Sequence, residues 1–290
     1  MISTRRRKSD FVLALGGGGA RGLAHIGVLK VLQSEKIRIT GIAGVSMGAF
    51  IGAMYAYYMD ATEIEEIFKK FLQSQFHKKF SKTFFLLSED ANSYQAPSRI
   101  IKKLGRGYVY LKAASKKGIF SQTILRETID FLLPDISFSD LRIPFVSVSS
   151  DLKSGQSVIF KNGKVRHAVV ASSLIPGIVE PLESGNSILT DGSTTEVVPV
   201  KAASEIFHGT VVAVDVSMNL KRSINLRTAF DVAIRANEIT TNFLNRTNLH
   251  AAEIVISPKV GETNWSNFDK LSELIRAGEI AARKALSLLK

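Results

Sequence analysis

Ser46 stands in the segment G-V-S-M-G, with Gly44 and Gly48 two positions to either side. An apolar run of strand character precedes this serine, and an apolar run of helical character follows it. A serine hydroxyl is a useful nucleophile only when it is exposed, has a base beside it and faces donors for an oxyanion. A sharp strand-to-helix turn exposes the serine, and glycines two residues away leave room for its crowded backbone. Ser46 is therefore a candidate nucleophile, and the alternative is a tight turn with a capping serine.

A second glycine-rich run, L-A-L-G-G-G-G-A-R-G, follows the first predicted strand and opens a helix. Its Gly17, Gly19 and Gly22 match the pattern G-x-G-x-x-G of dinucleotide-binding sites. Such a site also needs an acidic residue about 20 positions further on, at the end of the second strand. The second predicted strand runs into Ser46 without a carboxylate, so the pattern is incomplete. The nearby serine favours another interpretation, in which glycine N–H groups and the Arg21 charge face an oxyanion.

An aspartate lies far downstream, in the segment I-L-T-D-G-S. Asp191 ends a short predicted strand, and alone it is typical of a turn in which the side chain bonds its own backbone. Burial beside an apolar pocket would raise the pKa of such a carboxyl group and make it a better base. The alternative is a triad in the chain order Ser-Asp-His, for which His208 and His250 are the candidates.

Four motifs of the chain occur in the order and spacing found in patatin-like phospholipases: G-G-G-G-A-R-G, G-V-S-M-G, A-S-S-L-I-P-G at residues 171–177, and the pair Asp191-Gly192. The chain resembles this family through most of its length. The resemblance implies an α/β fold, a three-layer α/β/α sandwich around a mostly parallel sheet. It also implies a Ser–Asp dyad, with Ser46 as the nucleophile and Asp191 as the base.

The resemblance extends to the residues around the dyad. It implies an oxyanion hole formed by the backbone of Gly17, Gly18 and Gly19, with Arg21 as the basic residue of the same motif. The glycines that support the motifs are Gly22, Gly44, Gly48 and Gly192. The family usually has Gly or Ala after Asp-Gly, whereas this chain has Ser193, whose hydroxyl could hydrogen-bond Asp191 and alter its basicity.

Strand-like and helix-like segments alternate along the chain, which independently predicts a mostly parallel sheet covered on both faces. We predict one domain over residues 11–290, preceded by a basic tail at 1–10. The pair Thr62 and Glu65 predicts a capping box for the third helix. The pair Asn162-Gly163 predicts a hairpin turn.

The net charge of +12 is concentrated in two segments. Residues 77–117 hold ten Lys and Arg against two acidic residues, and residues 1–10 hold four against one. Aromatic residues alternate with the basic ones in 77–117, a composition typical of surfaces that dock on anionic lipid. We therefore interpret 77–117 as a cap or lid that contacts an anionic membrane surface. A solvated loop is the alternative, and a nucleic-acid partner is not expected beside a lipase-like site.

Composition excludes several classes of site. The chain has no cysteine, and no His, Asp and Glu cluster has metal-ligand spacing, so we expect neither a metal nor a cofactor. The basic start is not followed by the apolar segment of a signal peptide, and the 11-residue apolar run at 49–59 is too short to span a bilayer. The expected location is the cytoplasm, with peripheral membrane contact.

These patterns together predict a serine acyl hydrolase that cleaves carboxylic esters of phospholipids or lysophospholipids through an acyl-enzyme. One alternative is a lipid acyltransferase that uses the same site. The other, of a different class, is a non-catalytic nucleotide- or lipid-binding module that uses the glycine-rich loop.

Overall fold

The computed structural model describes residues 10–78, 81, 116–218, 220, 226, 229–261 and 263–289. Nearly all of the predicted basic tail and most of the predicted cap at 77–117 lie outside these residues. The strands of the described chain are β1 (Phe11–Leu15), β2 (Ile39–Gly44), β3 (Gly118–Phe120), β4 (Phe145–Asp151), β5 (Ser157–Phe160), β6 (Gly177–Val179), β7 (Leu182–Ser184), β8 (Ser187–Asp191), β9 (Thr210–Val214) and β10 (Ile254–Ile256).

The helices connect these strands over both faces of the sheet. They are α1 (Ala24–Ser34), α2 (Met47–Tyr58), α3 (Ala61–Gln73), α4 (Thr123–Leu132), α5 (Val165–Ala171), α6 (Val200–Ile206), α7 (Ala229–Leu249) and α8 (Leu271–Ser287). Short 3₁₀ turns at Gly19–Leu23 and Gly192–Thr194 follow β1 and β8. None of the described helices combines the length and apolar character that a membrane span requires.

Eight strands form one mixed sheet in the order β10-β9-β1-β2-β4-β8-β7, with β5 paired to β4. The five strands from β10 to β4 are parallel. The strands β5, β7 and β8 pair antiparallel. The sheet is therefore parallel where βα units build it and antiparallel at the end that carries Asp191.

Strand β1 explains why the sheet needs helices on both faces. Its five apolar residues are all buried, which is typical of a central parallel strand. Phe11, Leu13 and Leu15 face a large apolar cluster formed with α1–α5 and α8. Val12 and Ala14 face a smaller cluster formed with α6 on the opposite side. The predicted three-layer α/β/α arrangement is thus confirmed.

Two local predictions were wrong. The capping residue of α3 is Asp60, whose carboxylate accepts the Thr62 N–H at 2.8 Å, while Glu65 pairs with Lys30 on α1 at 2.8 Å. A carboxylate one residue before the helix reaches the free N–H groups directly, so Thr62 is not needed as the cap.

The hairpin turn also lies elsewhere. β5 pairs with β4, and the loop at 152–156 that joins them is bound by the Asp151 carboxylate. Asn162-Gly163 instead leads into α5, because the chain turns there from the sheet to a covering helix.

Helices α1 and α8 cross in near backbone contact. A Cβ added to Gly278 would collide with the Ala24 carbonyl oxygen, and a Cβ added to Gly27 would collide with the Ile275 carbonyl oxygen. These glycines therefore permit a close approach that no larger residue allows.

This crossing can be tested by Gly278→Ala. Its added methyl should separate the helices and lower the free energy of unfolding by about 1–3 kcal/mol, the usual cost of overpacking. Urea denaturation measures the change. The exposed Ser272→Ala on the same helix is the control and should remain within about 0.5 kcal/mol of the parent. Equal stability of parent and Gly278→Ala would contradict the close crossing.

Candidate active site

Ser46 lies on a strained turn between β2 and α2. Its φ of 52° and ψ of −121° fall where residues other than glycine are rarely found. A Cβ added to Gly44 would collide with the Ala49 backbone, and a Cβ added to Gly48 would collide with the Leu15 carbonyl. The two glycines thus allow the sharp turn that holds Ser46 at the start of a helix, where free N–H groups favour negative charge.

Asp191 is the last residue of β8 and is only 2% exposed. Its backbone N–H donates to the Leu174 carbonyl at 2.9 Å. Its carboxylate accepts the Ser193 N–H at 2.8 Å across the 3₁₀ turn that follows. Asp191 is therefore held through its backbone by Leu174 and through its carboxylate by Ser193.

The pairing of β4 explains how two residues so distant in sequence meet. Ser147 pairs with Gly44 of β2 and also with β5, while Ser149 pairs with Asp191 of β8 and also with β5. A strand has only two edges, so β2 and β8 must share the edge that β5 does not occupy. They run toward each other along it, and their paired ends are two residues, or about 7 Å, apart.

This arrangement brings the turn that carries Ser46 close to the end of β8 that carries Asp191. Burial raises the pKa of Asp191, and hydrogen-bonding interactions with the Ser193 amide, the Ser193 hydroxyl and the Ser46 hydroxyl partly offset that rise. The carboxyl group is thus a stronger base than a free aspartate, and the hydroxyl of the candidate nucleophile is one of the groups that affect its pKa.

The histidines considered for a triad lie far from Ser46. Strands β1, β2, β9 and β10 are parallel, so their carboxyl ends lie together at one end of the sheet, where Ser46 also lies. His208 precedes β9 and His250 precedes β10, and both are exposed at the opposite end of the sheet, where these strands begin. A five-residue strand separates the two ends by about 16 Å. Neither histidine is therefore positioned to relay a proton to Ser46.

His25 serves the glycine loop instead. It is completely buried, and its Nε2–H donates to the Gly16 carbonyl at 2.8 Å. Burial lowers its pKa to about 4, so it is neutral at physiological pH. Among the described residues, no group of three or more His, Asp or Glu side chains is arranged to hold a metal ion.

The glycine loop differs in one respect from the predicted oxyanion hole. The Gly17 N–H donates to the Val197 carbonyl at 2.9 Å, so it is not available to an oxyanion. Within the described part of the chain, the N–H groups of Gly18, Gly19 and Met47 have no protein acceptor. Gly19 and Met47 line the same pocket as Ser46, which makes them suitable donors.

Arg21 also lies differently from the prediction. Its guanidinium donates to the Thr263 carbonyl at 3.4 Å and is attracted by Glu238 and Asp215. Burial lowers its pKa, and the two acidic groups act against that change. These partners hold the guanidinium against the segment that carries Thr263, and Arg21 is not among the residues that line the pocket at Ser46.

Two contacts from the segment 171–177 were missed by the sequence analysis. The Ser46 N–H donates to the Ser172 hydroxyl at 2.9 Å, and that hydroxyl donates to the Val148 carbonyl at 2.5 Å. Leu174 supplies the carbonyl that holds Asp191. The segment therefore fixes both halves of the site, and its two adjacent serines at the end of an apolar helix were the available signal.

An apolar pocket opens beside Ser46, and its empty space, together with the open solvent at its mouth, amounts to about 690 Å³. Its walls are almost wholly hydrophobic and come from α2, α3, α4 and the segment before α8. They include Phe50, Phe68, Phe71, Ile129, Leu132 and Trp265. A pocket of this character fits a hydrocarbon chain whose polar end lies at Ser46.

Residues 13–204 match the family model of patatin-like phospholipases. An uncharacterized NTE family protein of Mycobacterium tuberculosis is 27% identical over 298 residues, covering 94% of this chain and 46% of that protein. Patatin-like phospholipase domain-containing protein 6 of Mus musculus is 27% identical over 210 residues, covering 72% of this chain and 14% of that protein.

Among solved structures, VipD from Legionella pneumophila aligns with a TM-score of 0.46 at 12% identity, covering 97% of this chain and 67% of VipD. The chain spans about half the length of the mycobacterial relative and a smaller part of the mouse protein.

The Ser172 bridge predicts the effect of Ser172→Ala. Removing the hydroxyl leaves the Ser46 N–H without its acceptor, which should lower the free energy of unfolding by about 1–3 kcal/mol. Denaturant melts measure the loss. The control is Ser204→Ala, which removes an exposed hydroxyl that donates a hydrogen bond to the Lys201 carbonyl and should have little effect. A Ser172→Ala protein as stable as the parent would refute the bridge.

The burial of Asp191 predicts a pH-dependent gain in stability for Asp191→Asn. A raised pKa in the folded state means that the ionised carboxylate destabilises the fold above that pKa and not below the unfolded value near 3.9. The variant should therefore melt at higher temperature than the parent at pH 8, with the difference disappearing near pH 4.

Asp151→Asn is the matched control with the opposite sign. The Ile188 N–H, the Lys153 N–H and the Ser154 hydroxyl lower the pKa of Asp151 to about 2. Its ionised form stabilises the fold above the unfolded pKa, so this variant should be less stable than the parent at pH 8. That deficit should shrink as the pH falls toward 2. Equal shifts for both variants at pH 8 would contradict the account of Asp191.

Proposed function

Because the chain belongs to the patatin-like phospholipase family, we propose that it is a serine acyl hydrolase that cleaves carboxylic esters of phospholipids or lysophospholipids. The observation that carries this proposal is that the strained Ser46 turn and the buried Asp191 meet along one edge of β4, beside an apolar pocket that Ser46 lines. A nucleophile, a base and a site for an acyl chain are thereby combined in one place.

In the first half of the reaction, Asp191 takes the proton of Ser46 as Oγ attacks the ester carbonyl carbon. The carbonyl oxygen becomes an oxyanion that accepts hydrogen bonds from the N–H groups of Gly18, Gly19 and Met47. The protonated Asp191 then gives its proton to the alcohol that leaves as the ester C–O bond breaks. The product of this half is an acyl-enzyme at Ser46.

In the second half, Asp191 takes a proton from a water molecule that attacks the acyl-enzyme. The same amides hold the second oxyanion, and the proton returns to Ser46 Oγ as the fatty acid leaves. In this mechanism one carboxyl group acts on the nucleophile without a relay, and its raised pKa makes it a better base than an exposed aspartate. The neutral His25 is not a participant, because its Nε2–H is bound to Gly16.

The lipid character of the substrate is supported by the pocket. Its aromatic and aliphatic walls begin at Ser46, so an acyl chain inside it would bring its ester carbonyl to the nucleophile. The leaving group would then lie toward the mouth, where a glycerophosphate head group remains in water.

We also propose that residues 11–290 form one catalytic domain and that segment 77–117 covers the pocket and meets an anionic membrane surface. Support comes from two exposed aromatic residues, one just before this segment and one on α4. Phe76 and Phe131 are 41% and 40% exposed, and their rings lie 5.1 Å apart. Phe131 also lies 6.0 Å from the ring of Phe71, which lines the pocket.

The proposed chemistry is tested with a fluorophosphonate probe and with phosphatidylcholine and lysophosphatidylcholine in mixed micelles. We expect the parent to be labelled and to release fatty acid, and Ser46→Ala to do neither. Asp191→Asn should lose about 10⁴-fold in turnover, the usual scale for a lost catalytic carboxylate. Mass spectrometry of the lipids and of the labelled peptide gives both results.

His208→Ala and His250→Ala are the controls and should keep the parent's turnover, since both histidines lie at the end of the sheet opposite Ser46. A large loss in either folded variant would replace the dyad with a triad. Labelling that persists in Ser46→Ala would reject the nucleophile. Acylated glycerol or lysolipid in place of free fatty acid would identify a transferase.

A further inference from the structure

Helix α7 is anchored to the rest of the protein chiefly through its last two turns. Asn245 is buried, and its side-chain amide donates to the Asp215 carboxylate at 3.2 Å and to the Ser217 hydroxyl at 3.3 Å, just after β9. Leu249 packs against the smaller apolar cluster. Further up the helix, every residue from 236 to 240 is exposed, which is more than one full turn. Among the described residues, this stretch of α7 therefore has little tertiary packing.

The exposed part of α7 lies at the end of the sheet where Ser46 also lies. The Asn242 side-chain amide donates to the Met218 carbonyl at 3.4 Å, so this part of the helix is level with the chain that leaves the carboxyl end of β9. From there α7 runs toward the start of β10, at the opposite end of the sheet. The helix residues before Asn242 therefore lie farther out than the strand ends. Val232 is about 15 Å farther along the helix than Asn242.

The outer face of α7 carries large apolar side chains. Val232, Ile239 and Phe243 are 52%, 48% and 74% exposed. At 3.6 residues per turn, the three side chains fall within about 40° of one another around the helix axis, and the buried Asn245 lies about 140° away from them. These three residues form one row, here named the α7 stripe, that points away from the protein. Such a row is more than the scattered apolar residues that any protein surface exposes.

Positive charge accompanies the α7 stripe. Arg246 follows it by one turn and is exposed, and Lys259 is exposed beyond β10 at the same end of the sheet as Ser46. Residues 219–228, directly before the helix, include three Lys and Arg and no acidic residue. On the helix itself, Arg235 and Glu238 pair at 3.1 Å and offset each other. The surroundings of the stripe are therefore cationic.

This combination fits an anionic lipid surface better than the other occupants. At a bilayer interface, apolar side chains enter the boundary of the acyl chains while Lys and Arg meet the lipid phosphates. A second copy of the chain, placed face to face on the stripe, would bring two sets of positive charges together. The orientation of the helix agrees with a flat partner, because the stripe extends past the strand ends toward the side from which a lipid ester would reach Ser46.

We propose that the α7 stripe docks on the surface of an anionic lipid bilayer and holds the Ser46 end of the sheet toward that surface. The inference extends the proposed function, since docking would keep the apolar pocket at the place that supplies lipid esters. The stripe lies outside segment 77–117, so it is a separate docking surface with its own test.

Vesicle sedimentation tests the docking in Ser46→Ala protein, which the proposed mechanism leaves unable to consume the lipid. The vesicles contain equal parts of phosphatidylcholine and phosphatidylglycerol. Adding Ile239→Ser together with Phe243→Ser should raise the Kd for these vesicles about tenfold or more, because two large apolar side chains no longer leave water. Added salt, or vesicles of phosphatidylcholine alone, should weaken binding of the unsubstituted stripe.

The matched control is Ile280→Ser, which removes an apolar side chain that is 60% exposed on α8. It should leave the Kd unchanged. A double variant at 239 and 243 that binds the vesicles as tightly as the Ile280→Ser protein would overturn the docking surface.

A second measurement resolves the face of the helix. The chain has no cysteine, so Phe243→Cys or Asn237→Cys places an environment-sensitive fluorophore at a single position. Asn237 is exposed, and it lies about 120° around the helix from Phe243. The emission from position 243 should shift to the blue when anionic vesicles are added, and the emission from position 237 should not. Equal shifts at both positions would contradict docking through the stripe.

The same fluorophore identifies the other occupants. A blue shift at position 243 that appears without vesicles and grows with protein concentration would assign the stripe to a second copy. An emission that is already blue at every protein concentration would assign it to another segment of this chain. Either result overturns the lipid surface. Because no measurement here uses turnover, absence of ester hydrolysis in the parent would reject the proposed function and leave the docking result to stand by itself.

Discussion

The whole site depends on two strands that approach each other end to end along one edge of β4. β2 leads to Ser46 at this point and β8 ends there at Asp191, so each strand supplies only one of the two residues of the proposed dyad. A continuous parallel partner would have filled the edge and kept the two residues apart. The change from parallel to antiparallel pairing at β4 is therefore the structural requirement for a two-residue site.

Burial of the carboxylate is the second requirement, and it acts against stability. A charge removed from water is costly unless hydrogen bonds replace the lost hydration. The fold supplies some of these from Ser193 and Ser46, and the remaining cost appears as a raised pKa. In the proposed mechanism, that raised pKa lets Asp191 act as a base without a histidine. The strained backbone of Ser46 is a further local cost that the packed core under α2 has to support.

Much of this arrangement could be predicted from the sequence, because it depends on local rules. Glycines beside Ser46, alternating strand and helix patterns and a strand-ending Asp191 each follow from short segments. The engaged amide of Gly17 and the position of Arg21 could not, since both depend on partners that lie about 180 or more residues away. The Ser172 bridge was missed for a similar reason, because the Ser46 amide that it binds lies 126 residues earlier in the chain.

The most direct test of the account is a crystal structure of the chain inactivated by a long-chain alkyl phosphonate, which mimics the tetrahedral intermediate. The account predicts phosphorus bonded to Ser46 Oγ, the alkyl chain in the apolar pocket, and the phosphonyl oxygen within hydrogen-bond distance of the amides of Gly18, Gly19 and Met47. The Asp191 carboxylate should lie beside Oγ with no histidine between. Phosphorus on another residue, or an oxygen facing away from the glycine loop, would contradict it.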